Sequence, residues 1–236
     1  MKNLAPTADL SASAAESFRA LLARRRSVRA FLPDPVPESD IREIFSLAQW
    51  SPSNCNSQPW AVTIVSGATR DRLKDAYLAY LDRGGQEEAD VPWLRDAYPP
   101  HFAERRSAHA RCQQDAFGVG REDVQARANL LRRQLSFFGA PHVALLSMPA
   151  WGNEREASDL GMYAQTVLLG LAAYGLAGLP QALLGLYAPP VKEVLGLDTD
   201  MKLLFGIAFG YEDVVAPGAR LDQPRAPFEA AINILN

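Results

Sequence analysis

Four short stretches of this sequence carry more polar chemistry than connecting chain requires. In "RRRSVRAF", Arg24, Arg25, Arg26 and Arg29 surround Ser27 and offer forked N–H donors and a hydroxyl to a phosphate-like dianion. The plainer reading is a helix end whose macrodipole is balanced by solvated arginines. In "SPSNCNSQPW", Asn54, Asn56 and Gln58 each present a donor and an acceptor, which suits a planar heterocycle with alternating carbonyl and N–H groups. Pro52 and the hydroxyls of Ser51 and Ser53 lie among them, and a run of Asx and Ser turns serving its own backbone accounts for the same composition. "GLPQALLGLY" sets Pro180, Gln181 and Ala182 beside glycines, where a ring can approach main-chain N–H groups; a turn into a strand is the alternative. Arg225, in "DQPRAPFE", follows the last apolar strand and could return to the anion that Arg25 serves, or make an ordinary surface ion pair.

Other chemistries lack their residues. His101, His109 and His142 have no metal-ligand spacing, and His142, between Pro141 and an apolar run, is read as a strand-edge residue, so no metal is assigned. There is no G-x-S-x-G elbow, P-loop or G-x-G-x-x-G fingerprint, so a bound cofactor is the expected source of any reactivity. Cys55 and Cys112 are too few for a disulfide framework, and Cys55 is taken as inert. A net charge of −3 argues against nucleic acid as a partner. No apolar run of membrane-spanning length or signal-peptide h-region occurs, so a cytoplasmic protein is expected.

The elements that must position these groups follow from periodicity. A helix begins near Ala14 and ends in the arginines, and Ile41, Ile44, Phe45 and Ala48 define a second one that leads into the Ser51 loop. Further helices are expected at about 69–82, 101–116, 123–136, 157–176 and 188–196, and buried strands at Trp60–Ser66, "HVALLSM" and "KLLFGIAFG". Without a regular βαβ rhythm the class is α+β. One domain over 1–236 is expected, with a flexible tail at 1–13, a mobile lid or loop at 83–100 and a variable substrate-covering region at 83–135.

Taken in order, "RRRSVRAF", "SPSNCNSQPW", "GLPQALLGLY" with "VKEVLGL", and "GIAFGYEDVVAP…QPR" resemble the FMN-dependent nitroreductase family from about Arg24 to Arg225. "FGVGRED" and "LSFFGAPHVALLSM" resemble its nitrobenzoate-reductase-like branch. The resemblance implies a three-layer α+β sandwich, a central mixed or antiparallel sheet flanked by helices, in an intertwined homodimer with two non-covalent FMN at the subunit interface. It implies that Arg25, Ser27 and Arg225, with Arg26 beside them, hold the FMN phosphate, and that Arg29 lies near the N1/O2 edge, where a fixed cation stabilises negative charge on reduced flavin. Pro52, Ser53, Asn54, Asn56 and Gln58 would come from the partner subunit to the ribityl chain and pyrimidine edge. Backbone groups after Pro180, at Gln181 or Ala182, would approach N5. The sequence departs from the family in having Gln223 where many relatives carry Lys, and in lacking an acidic residue after Pro180.

The implied activity is ping-pong reduction of nitroaromatics to nitroso and hydroxylamine products, with NAD(P)H as co-substrate and the flavin, not a side chain, carrying the chemistry. For a nitrobenzoate, Arg121, Arg127, Arg132 and Arg133 are candidate carboxylate partners, with helix solvation the favoured reading, and Phe117, Phe137 and Phe138 could line an aromatic pocket or pack in the core. The rivals are a same-fold ene-, quinone or flavin reductase, a non-catalytic flavin-binding module, and a cofactor-free structural dimer.

Overall fold

An unbroken apolar run such as "HVALLSM" needs both of its faces covered, and it forms the centre of the molecule. The computed structural model describes residues 12–120, 122–197, 200–221 and 223–235. Strand β2, His142–Pro149, lies between β1, Ala61–Ser66, and β4, Met201–Gly210, and β3, Ala177–Gln181, completes a sheet of order β1-β2-β4-β3. All three pairings are antiparallel, so of the two sheet types expected the antiparallel one is found. Alternate β2 residues serve two cores. Val143 and Leu145 enter a cluster with residues of α3, Gly67–Asp82, α5, Val124–Leu135, α7, Ala182–Leu186, and α8, Ala188–Leu195. Ala144, Leu146 and Met148 enter another with α2, Glu38–Ala48, and α6, Glu154–Ala173. The α+β layering expected from the sequence is therefore present, with helices on both faces. Among the described residues, no helix is long and apolar enough to cross a membrane.

The remaining α-helices among the described residues are α1, Ala12–Arg24, and α4, Pro100–Ala116. The tail expected at 1–13 falls almost wholly outside the described residues. Helix α6 spans 154–173 rather than 157–176, because the Asn153 side chain accepts from its first turn while Glu156 accepts from the Asn153 N–H, a reciprocal cap that starts the helix earlier. The chain then turns at Gly175, φ 79°, into β3. That strand was not among those expected from the sequence. Pro180 masked it, yet a proline is tolerated because β3 is an edge strand whose outer side needs no donor.

Two other expectations change. The excursion at 83–100 is stitched down in its first half: the Glu88 N–H donates to Leu186 O (2.8 Å), Asp90 accepts from the Leu203 N–H (2.9 Å), and Asp90 pairs with Lys192. Its second half folds on itself, with Arg95 4.2 Å from the Trp93 ring and the Trp93 indole N–H donating to the Tyr98 hydroxyl (3.1 Å). His142 is the first residue of β2, at the strand's beginning as expected, but it is buried and the strand is a central one. Its Nε2 accepts from the Val36 N–H (2.8 Å), which places the proton on Nδ1, facing the Ser66 hydroxyl. Burial, and then the charge of Arg70, hold its pKa below the ordinary histidine value.

Candidate functional site

The arginine stretch leaves α1 and is pinned by its backbone. Ser27 bridges Gly178 of β3, the Arg29 N–H donates to Ala219 O (2.8 Å), and the Leu32 N–H donates to Tyr211 O (2.9 Å). These bonds place the stretch between β3 and the chain that follows β4. That chain carries Arg225 back to Arg25, close enough that the two guanidiniums repel.

Together they line a cavity of about 1090 Å³, just above the roughly 300–1,000 Å³ usual for ligand sites. Arg25, Arg26, Ser27, Arg29, Pro180, Gln223 and Arg225 all reach it, joined by Gln165 and Leu168 of α6. Five arginines and no carboxylate line it among the described residues, so its field is positive. Burial first, then Arg225 and Arg26, lower the pKa of Arg25, a crowding that a bound anion would relieve. Arg29 is 7% exposed and donates to Ser27 O (2.9 Å); burial lowers its pKa, opposed by Cys112. The amide Nε2 of Gln223 is buried without a hydrogen-bond acceptor, an unmet donor beside the arginines. Phosphate oxygens are the acceptors this donor set fits. An adjoining cleft of about 570 Å³ shares Arg25 and Arg26 but also contains Asp34 and Glu212, and Glu212 clamps Arg220, so it is the weaker anion site.

At the end of β3 the side chains alternate. Pro180 is exposed and lines the cavity, whereas Gln181 is buried on the other face, where its amide donates to Gln134 O (3.0 Å) of α5. Ala182 begins α7, so its N–H is among the first-turn amides that no intrahelical carbonyl accepts. Close packing fixes this corner: a Cβ at Gly185 would lie 2.3 Å from Leu204 O.

The Ser51–Trp60 loop is elsewhere. The Ser51 hydroxyl donates to Thr166 Oγ1 (2.8 Å), the Asn54 N–H donates to the buried Asp159 carboxylate (3.1 Å), and Ser53 Oγ accepts from the Gln58 N–H (2.9 Å). Helix α6 thus holds the loop backbone while Pro52, Asn54, Asn56 and Gln58 stay exposed. Cys55, Asn56 and Gln58 have φ of 51°, 56° and 48°, left-handed values that cost non-glycine residues energy and here hold a fixed shape. No residue of this loop lines the arginine cavity of its own chain. Gln58 instead borders a groove of about 330 Å³ with Trp60, Val62 and Ile64 along β1.

The candidate carboxylate partners among the described residues do not reach the cavity. Arg132 pairs with Asp82, Arg133 lies 4.7 Å from the Phe117 ring, Arg127 is not in the lining, and Arg121 lies outside the described residues. Phe137 and Phe138 are core residues, and Phe117 stacks on Phe138. What sequence reasoning missed is a wall formed by α4: Arg105, Ala108, His109 and Cys112, spaced i, i+3, i+4 and i+7. The spacing was there to see, but α4 is polar all round, and no apolar stripe marked which side faced inward.

A model of the nitroreductase family matches residues 22–211. Nitroreductase NfnB of Mycolicibacterium smegmatis is 43% identical over 221 residues, covering 94% of this chain and 92% of that protein. A 4-nitrobenzoate reductase of Nocardioides sp. is 32% identical over 229 residues, covering 96% and 93%. Among solved structures, the FMN-dependent nitroreductase NfnB from Mycobacterium smegmatis in complex with NADPH superposes with a TM-score of 0.91 at 39% identity, over 94% of this chain and 99% of that one.

Proposed function

This chain belongs to the nitroreductase family, and from that membership we propose an FMN-dependent, NAD(P)H-oxidising nitroreductase that acts as a homodimer on nitroaromatic compounds of the nitrobenzoate type. The observation that carries it is the arginine cavity with its crowded Arg25 and the unmet amide of Gln223. A single FMN-binding domain is the reading for the whole chain. When bound, FMN supplies alternate two-electron reduction by NAD(P)H and reoxidation by the nitro compound.

The chain's own residues do the rest. Arg25, Arg26, Ser27 and Arg225 hold the phosphate, with the Gln223 amide donating beside them. Arg29, buried and fixed by Ser27 O, stabilises negative charge at the pyrimidine edge without moving to do so. Pro180 and the backbone at Gln181 and Ala182 form the wall at the reacting edge. The Pro52, Ser53, Asn54, Asn56 and Gln58 loop of a second copy completes the site, in keeping with its absence from the cavity of its own chain. A homodimer would also cover the open edge of β1 and an apolar chain end in which Ile234 and Leu235 are 72% and 92% exposed. A cytoplasmic setting keeps the exposed Cys55 reduced.

The test is anaerobic titration of FMN-loaded protein with NADH or NADPH, followed by 4-nitrobenzoate. The bound flavin should bleach and then recover its colour. Failure to take up FMN, or bleaching without recovery on any nitroarene, would refute the assignment.

A further inference from the structure

The cavity holds more positive charge than a flavin uses. A phosphate monoester carries about −1.5 to −2 at pH 7 and would meet Arg25, Arg26 and Arg225, while Arg29, oriented by its bond to Ser27 O, is assigned to the pyrimidine edge. Arg105 is left over. It stands on the α4 wall one turn before His109, on the same helix face, and both line the cavity. Among the described residues Arg105 meets no carboxylate; its guanidinium lies 5.7 Å from the Phe102 ring. Among the described residues, the lining has no acidic side chain to oppose an incoming anion.

We propose that Arg105, with His109 beside it, forms an anion subsite on the α4 wall that selects ligands by a negatively charged group. The inference rests on the flavoenzyme reading above, since it is the ligand sharing the cavity with the flavin that would be read. Two sources supply such a group: the carboxylate of an aryl acceptor and the phosphates of the nicotinamide dinucleotide. Arg105 offers two parallel N–H donors that match either one, and His109 adds a single further ring donor. Because α4 buries none of its residues in the core, this wall can change without disturbing the fold, which suits a determinant of specificity.

Equilibrium binding to the FMN-loaded protein tests it without turnover. Benzoate, NADP⁺ and the neutral benzamide are titrated against the visible flavin spectrum of the unaltered chain and of Arg105→Ala, Arg105→Lys and Arg132→Ala. Arg105→Ala should raise the Kd of benzoate or of NADP⁺ about tenfold or more and leave benzamide within twofold; the anion that suffers identifies the source. Arg105→Lys should recover part of the loss, and Arg132→Ala, whose partner Asp82 lies away from the cavity, should change none of the three. Shifts below threefold for both anions, or an equal shift for benzamide, overturn the subsite. If that happens in protein that still reduces nitrobenzene, the flavoenzyme assignment stands; protein that binds no FMN sinks both.

Discussion

Helices α6 and α4 are of similar length and both border the cavity, yet they are built by opposite rules. Helix α6 has twenty residues, nine of them buried, and carries its own N-terminal capping box. It lines the cavity with Gln165 and Leu168 and holds the Ser51 loop through Asp159 and Thr166, so one element borders the cavity and anchors the loop. Helix α4 has seventeen residues, none of them buried, and no side-chain cap. The difference teaches where fold and specificity reside. The cavity residues Gln165 and Leu168 belong to a helix anchored in the core, whereas Arg105 and His109 sit on a wall the core does not need.

The contrast is open to direct attack. The largest expected effect is on stability: Leu171→Ala in α6, at a fully buried position, should cost about 2–5 kcal/mol by chemical denaturation. Phe102→Ala in α4, where Phe102 is 47% exposed, should cost less than about 1 kcal/mol. Equal losses would mean α4 belongs to the core in solution. Next, Arg225→Ala should weaken FMN binding about 10- to 100-fold, as expected for loss of a charge-assisted bond worth roughly 1.5–3 kcal/mol, while the apoprotein keeps its denaturation midpoint. Fluorescence titration with FMN measures it, and an unchanged affinity would remove Arg225 from the phosphate site.

A third prediction concerns acid. The folded pKa of His142 lies below the ordinary value of 6.5, so the unfolded chain takes up the proton first. The stability linked to this group is therefore complete above pH 6.5 and is lost as pH falls through 6.5 toward the lower folded value. Protonation would put a second N–H against Val36 N–H, beside the positive charge of Arg70. His142→Gln should flatten the dependence of unfolding free energy on pH in that window, locating acid sensitivity in the scaffold and not in α4; an unchanged slope would exclude His142. The smallest effect belongs to the outer side of α4: Arg111→Ala, exposed and away from the cavity lining, should shift stability and FMN affinity by no more than about 0.5 kcal/mol.

Much of the scaffold was legible beforehand. Ile41, Ile44, Phe45 and Ala48 marked the buried face of α2, and the unbroken apolar run of β2 marked a strand covered on both sides. The site was partly legible: Arg25, Ser27, Arg29, Pro180 and Arg225 are brought to one cavity, as their types suggested. Strand β3 was not legible, since a proline reads against a strand until the strand is known to be an edge. Arg132 and Arg133 were weighed for a carboxylate, with helix solvation favoured; they look as free as Arg105 in a one-dimensional string, yet Asp82 and Phe117 occupy them in space.

The sequence by itself determined most of the elements, though not β3, and the donor-rich stretches suited to an anion, because periodicity and side-chain type are local properties. Only the tertiary structure decided which of several similar arginines share a cavity, that the Ser51 loop stands apart from the cavity of its own chain, and that α4 turns Arg105 and His109 inward. The physical reason is that facing and distance across the fold are set by long-range packing, and a helix polar on every side carries no local mark of the direction in which it will face.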